Sequence, residues 1–201
     1  MSQPRDAAST AVVGILLVGG ASRRFPGGKL AAAIPERLAV RFGRRDLVGV
    51  GVAEASRRAV AEAFPTVLLL GSEIPDRRPH QGPSAALHDL IAGPRLAGFS
   101  AATRLVVVPG DVPFVPSALL RSLASASGSA IVAEGEPLPL AVDLGALRGV
   151  TSGGALPRMR DLAAALDAHP LDARLVARLD PHGGALADID NPDDLQGSAM
   201  R

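Results

Sequence analysis

Apolar residues run almost unbroken over positions 12–18, and the run stops at Gly19 and Gly20. A strand covered on both faces has no polar side and reads as such a run, bounded by glycine or polar residues. The same texture returns at 67–70 (VLLL) and 105–108 (LVVV), and shorter stretches at 38–42, 130–133, 140–142, 174–177 and 186–189 predict further strands. Between them the apolar spacing shifts to the helical period. It predicts helices over 46–64, with Gly49 and Gly51 weakening the start, and over 83–91, 116–126 and 156–168, with a short one after Asn191-Pro192. Strands alternating with helices predict an α/β fold, a three-layer α/β/α sandwich around a mostly parallel, Rossmann-like sheet. Such sheets bind ligands at the carboxyl ends of their strands. A single domain is expected over 11–197, between flexible tails at 1–10 and 198–201.

Composition narrows the function classes. A chain of 201 residues, 47% of them hydrophobic, buries roughly 70% of its unfolded surface and needs no disulfide or metal to fold. Aromatic residues are only 2%, with no Trp or Tyr, which argues against a platform that stacks bases. The net charge of +1 provides no global field for nucleic acid or an anionic membrane. With no Cys there is no disulfide framework, thiolate zinc site or cysteine nucleophile. The first ten residues lack the apolar core of a signal peptide, and no stretch nears the roughly 20 apolar residues of a membrane span. A cytoplasmic protein is expected.

Two stretches carry candidate chemistry. The first is the loop after the opening strand, where Gly19 and Gly20 leave backbone N–H groups uncovered, Ser22 adds a hydroxyl, and Arg23, Arg24 and Lys29 add charge. These features suit a phosphate cradle, and equally a solvated turn. The loop is neither a Walker A sequence, since Leu30 follows Lys29, nor a Gly-x-Gly-x-x-Gly fingerprint. The second is Asp111, just beyond the 105–108 strand, in a segment pinned by Pro109, Pro113 and Pro116. It reads as a ligand for Mg²⁺, which takes one or two carboxylates together with phosphate oxygens and water, or as a turn residue. Asp188 and Asp190 alternate near the C-terminus, either offering a second metal ligand, while Asp193 and Asp194 read as helix N-terminal charges. His80 lies near a presumed substrate loop; the other three histidines read as surface or packing residues. Arg44 and Arg45 read as a solvated turn or as acceptor contacts.

Taken together, five stretches in order resemble the molybdenum cofactor guanylyltransferase family, among the glycosyltransferase-A-like nucleotidyltransferases, whose fold is that of the nucleotide-diphospho-sugar transferases. The family's Leu-x-Gly-Gly-x-Ser-x-Arg-Met-Gly-x-Asp-Lys is similar to the stretch from Leu17 to Lys29. Its Gly-Pro-Leu-Ala-Gly-Leu, with an Asp ahead, resembles Gly82-Pro83-Ser84-Ala85-Ala86-Leu87 with Asp76. Its Cys-Asp-Met-Pro-Phe-Leu resembles Gly110-Asp111-Val112-Pro113-Phe114-Val115, and its Pro-Leu-x-Ala strand resembles Pro137 to Ala141. Its terminal Asn-x-Asn-Thr-Pro-Glu-Asp-Leu resembles Asp188 to Leu195. Departures stand at Gly28, where the family has Asp, at Pro26 and Ala86, where it has Gly, and at Asp188 and Asp190, where it has Asn.

The resemblance implies transfer of GMP from GTP to the terminal phosphate of molybdopterin carrying molybdenum, with pyrophosphate leaving. Leu17, Gly19, Gly20, Ala21, Ser22, Lys29, Asp76 and Asp111 would then bind the nucleotide, with Asp76 accepting from the guanine edge. Arg24, Lys29 and Asp111 would be catalytic, and Mg²⁺ would rest on Asp111 and Asp190. Implied partners are GTP, molybdopterin, and transiently a protein that delivers the cofactor or a molybdoenzyme that receives it, with no nucleic acid and no membrane. The alternatives are a relative using CTP or another phosphorylated acceptor, or a catalytically weak nucleotide binder.

Overall fold

The computed structural model describes residues 11–18, 28–71, 73–74, 82–133, 136–154 and 158–196. In chain order these form β1 (Val12–Leu17), α1 (Glu36–Arg41), α2 (Val52–Ala63), β2 (Val67–Leu70), α3 (Pro83–Ala92), β3 (Arg104–Pro109), α4 (Ser117–Ser125) and β4 (Ala130–Val132). There follow β5 (Leu140–Asp143), α5 (Leu144–Thr151), α6 (Met159–Ala165), β6 (His169–Pro170), α7 (Ala173–Leu179) and α8 (Pro192–Leu195). Short 3₁₀ turns occupy Lys29–Ala31, Arg45–Leu47 and Pro94–Leu96.

Among the described residues the sheet has six strands in the order β2-β1-β3-β5-β4-β6. β1 lies parallel to both β2 and β3, and β6 is parallel to β4. β5 runs antiparallel between β3 and β4, the one reversed strand of this sheet. Alternate apolar residues of β1 to β5 enter opposite cores, as a pleat requires. Val13 and Ile15 of β1 with Leu105 and Val107 of β3 pack under α3, α5 and α6. Leu16, Val106 and Val108 pack under α2, α4 and α7. The three-layer sandwich is thus observed. Gly14 makes one layer contact possible: a Cβ there would meet Val60 Cγ1 at 2.5 Å, so α2 lies directly on the β1 backbone. A third cluster beside the sandwich joins Ile34, Leu38 and Phe42 to Phe114 and to Ala187 and Ile189 of the C-terminal segment. No helix among the described residues is long and apolar enough to cross a membrane.

Three of the expected strands are something else. Residues 38–42 lie mostly in α1: Leu38 and Phe42 stand one helical turn apart and are buried while Val40 and Arg41 are exposed, and five residues are too few to reveal the period. Residues 174–177 lie in α7, whose start is capped by the Asp172 carboxylate accepting from Leu175 N at 2.8 Å. Residues 186–189 form no strand; Ile189 N instead donates to Asp111 O at 3.0 Å. The helix expected over 46–64 begins only at Val52, because Gly49 adopts a φ of 76° and breaks it from the 3₁₀ turn. α5 escaped the pattern because Gly145, Gly149, Val150 and Thr151 lower its helical propensity.

Candidate active site

β1 and β3 end together, with Leu17 in register with Pro109, and open onto one edge of the sheet. Gly110 N donates to Leu17 O at 2.9 Å, and a Cβ on Gly110 would stand 2.7 Å from that same oxygen, so glycine is required for the chain to pass. Gly110 O accepts the buried Ser56 hydroxyl of α2 at 3.1 Å. The loop beyond is anchored by Val112, Phe114 and Val115, all buried, with the Phe114 ring 4.4 Å from that of Phe42. Held at both ends, the loop presents Asp111 with its carboxylate only 23% exposed.

Lys29 reaches the same point from a different direction. It follows Gly28 at the start of its 3₁₀ turn, and the chain just beyond is tied to the head of α2 by Val52 N donating to Ala32 O at 3.0 Å. Its Nζ donates to Asp111 Oδ2 at 2.6 Å and to Asp190 Oδ1 at 2.6 Å. Burial alone pulls the Lys29 ammonium down; the two hydrogen bonds and the two negative charges outweigh it, and its pKa stands above the ordinary lysine value. Lys29 is also the chain's only lysine, every other side chain with a permanent positive charge being arginine.

The third arm is the C-terminal segment. The Asp180 carboxylate accepts from Gly184 N at 3.0 Å and Ala185 N at 2.7 Å, which turns the chain back toward the sheet. Ile189 then docks in the third core and bonds to Asp111 O. Asp194 Oδ2 accepts from Asp190 N at 2.8 Å and Asn191 N at 2.7 Å, part of a capping box that starts α8 and fixes the backbone under Asp190. Asp188 is exposed as a residue, yet its carboxyl is pushed above the ordinary value, first by burial of the group on its protein side and then by the charges of Asp190 and Asp111. Among the described residues, three carboxylates thus gather around the one ammonium of Lys29.

Of the residues singled out in the sequence, the structure brings Lys29, Asp111 and Asp190 into direct contact, with Leu17 bonded to the residue before Asp111. Gly19, Gly20, Ala21, Ser22, Arg24 and Asp76 lie outside the described residues. Arg44 pairs with Asp46 at 2.9 Å in an exposed turn. Ser56, unremarkable in sequence, emerges as a support of the Asp111 loop, and Asp194 proves to cap α8 and to hold Asp190 at once. The signal for Asp194 was the spacing Asn191-x-x-Asp194 around Pro192. For Ser56 there was none, because its partner is 54 positions away. The donor set suits a hard cation: two carboxylates already converge on one positive charge, and no third His, Cys, Asp or Glu joins them in a closed cage among the described residues.

Residues 14–170 match the family model of the MobA-like NTP transferase domain. No curated protein matches the chain by sequence. Among solved structures, it is similar to molybdopterin-guanine dinucleotide biosynthesis protein A from Archaeoglobus fulgidus, at 20% identity and a TM-score of 0.55, over 92% of this chain and 95% of that one. A Mycobacterium tuberculosis protein aligns at 19% identity and 0.53, over 94% and 97%. A nucleotidyl transferase from Methanothermobacter aligns at 18% and 0.52, over 93% and 95%. At such identities these structures establish a shared fold. With the family model covering most of its length on that fold, the chain belongs to the MobA-like NTP transferase family and is a nucleotidyltransferase.

Proposed function

We propose that this protein transfers GMP from GTP to the terminal phosphate of molybdopterin carrying molybdenum, releasing pyrophosphate. The observation that carries the reading is the meeting of Lys29 with Asp111 and Asp190 at the carboxyl ends of β1 and β3, where α/β sheets bind their ligands. The name of the similar Archaeoglobus protein supports the choice of substrates.

Asp111 and Asp190 are the residues that would hold Mg²⁺. Bound there, it would offset charge on the α-phosphate and screen the approach of two anions. The acceptor is a phosphate monoester with a second pKa of about 6, already an anion at neutral pH, so no side chain need act as general base. What the chain must supply is position and charge. Lys29 and Arg24 meet the leaving pyrophosphate, and the N–H groups from Gly19 to Ser22 cradle the β- and γ-phosphates. Leu17 and Asp76 flank the base, with Asp76 accepting from the guanine edge.

The test is transfer of α-labelled GMP from GTP, beside CTP, to molybdopterin in the presence of Mg²⁺. The expected result is transfer from GTP alone, and a loss of about 10²-fold or more in kcat for Asp111→Asn with an unchanged circular dichroism spectrum. Preference for CTP would reassign the base, and a near-normal rate in Asp111→Asn would remove Asp111 from the chemistry.

A further inference from the structure

We propose that Lys29 is a built-in counter-ion that fills the cation position between Asp111 and Asp190 until nucleotide arrives, so that a divalent cation is admitted with the nucleotide and not before it. The inference rests on the functional reading above and concerns the order in which that site is filled.

The argument begins with the shape of the ion pair. One ammonium stands 2.6 Å from an oxygen of each carboxylate, and those carboxylates come from elements 82 and 161 positions away in the chain. A divalent cation held by Asp111 and Asp190 would compete with the ammonium for the same carboxylates. Two cations cannot share the space between them, and one of them must leave. Residue type agrees. The chain supplies every other permanent positive side-chain charge with arginine and keeps lysine here alone. A guanidinium is a flat fork that grips one carboxylate, whereas an ammonium is a compact point charge that sits between two, as a metal does. Lysine also has a flexible stem, so it can swing onto an incoming phosphate without moving the backbone. Asp190 gives the ammonium its second charged partner and strengthens the hold.

Free divalent cation must therefore displace a doubly paired lysine. A nucleotide removes that obstacle by offering Lys29 its phosphates, and the two ligands help one another by the same factor in either order.

Binding of Mn²⁺ alone, followed by electron paramagnetic resonance, tests this in the wild type and in Lys29→Gln, with and without a non-hydrolysable GTP analogue. The expected result is weak binding to the wild type, tightened by about tenfold or more in Lys29→Gln without nucleotide, the order expected from removing a positive charge in contact with the site. Equal or weaker Mn²⁺ binding by Lys29→Gln, while the analogue still recruits Mn²⁺ to the wild type, overturns the counter-ion role and leaves the metal site standing. No Mn²⁺ binding by either protein with the analogue present overturns both. A second measurement needs no variant. Wild-type protein labelled with ¹⁵N-lysine has a single side-chain amine of that kind to report. Its resonance is expected to stay in place with Mg²⁺ alone and to move when the analogue is added with Mg²⁺. Movement with Mg²⁺ alone, at the affinity seen with the analogue, overturns the proposal.

Discussion

Gly110 shows how a single residue without a side chain places the carboxylate of the next. Its backbone lies so close to Leu17 O that a methyl group has no room, and the contact is with backbone rather than with a side chain that could turn aside. Gly110→Ala must push β1 and β3 apart at their ends. The expected cost is about 1–3 kcal/mol of stability by urea denaturation, together with a fall in kcat, because Asp111 is the next residue. An unchanged kcat in the folded variant would show that Asp111 has slack. Asp111 and Lys29 could be singled out in the sequence because glycine and proline surround them. Their mutual contact could not, since nothing local encodes a bond across 82 positions.

At the scale of elements, the strands with unbroken apolar runs were legible because burial on both faces writes itself into every position. The elements that went astray are those whose pattern is short or diluted, as in α1, α5 and α7. α2 illustrates how an exposed helical face is held. Glu54 pairs with Arg57 at 2.6 Å and Arg58 at 2.9 Å, one turn along. The hydrogen bonds from Arg57 and then Arg58 draw its carboxyl from 4.5 down to about 2. A lowered pKa means that the unfolded chain takes up the proton first. The pairing therefore stabilises the fold fully above pH 4.5, and that contribution fades as the pH falls toward 2. All three side chains are well exposed, so the effect at neutral pH is no more than about 1 kcal/mol. Glu54→Gln should be less stable than wild type at pH 7 by that amount in urea denaturation, with the gap closing as the pH drops. A gap that persists at low pH would assign it to packing.

Across the whole molecule, the two ends of the sheet divide the work. β3 ends at the Asp111 loop and begins at Arg104, which is buried and ties the turn after α4 together: it donates to Gly128 O at 2.8 Å, to Ala126 O at 3.3 Å and to Asp143 Oδ1 at 2.9 Å. Beside it lies a cavity of about 540 Å³ walled by Val12, Phe64, Pro65 and Ala124 among others. Arg104→Met should cost about 1–3 kcal/mol by leaving those carbonyls unpaired, with KM for nucleotide unchanged in the folded protein. A changed KM would mean that the two ends communicate.

The three arms that meet at Lys29 have one more consequence, for the making of the protein. No short contiguous fragment contains the proposed catalytic centre, because its charged groups come from the first strand's sequel, the middle of the chain and a segment just ahead of α8. Closing such long loops is the slow part of assembly. A refolding chain can thus regain its helices and sheet before the three arms meet, and under the proposed function a nick that frees the segment around Ile189 would silence the enzyme with most of its architecture in place.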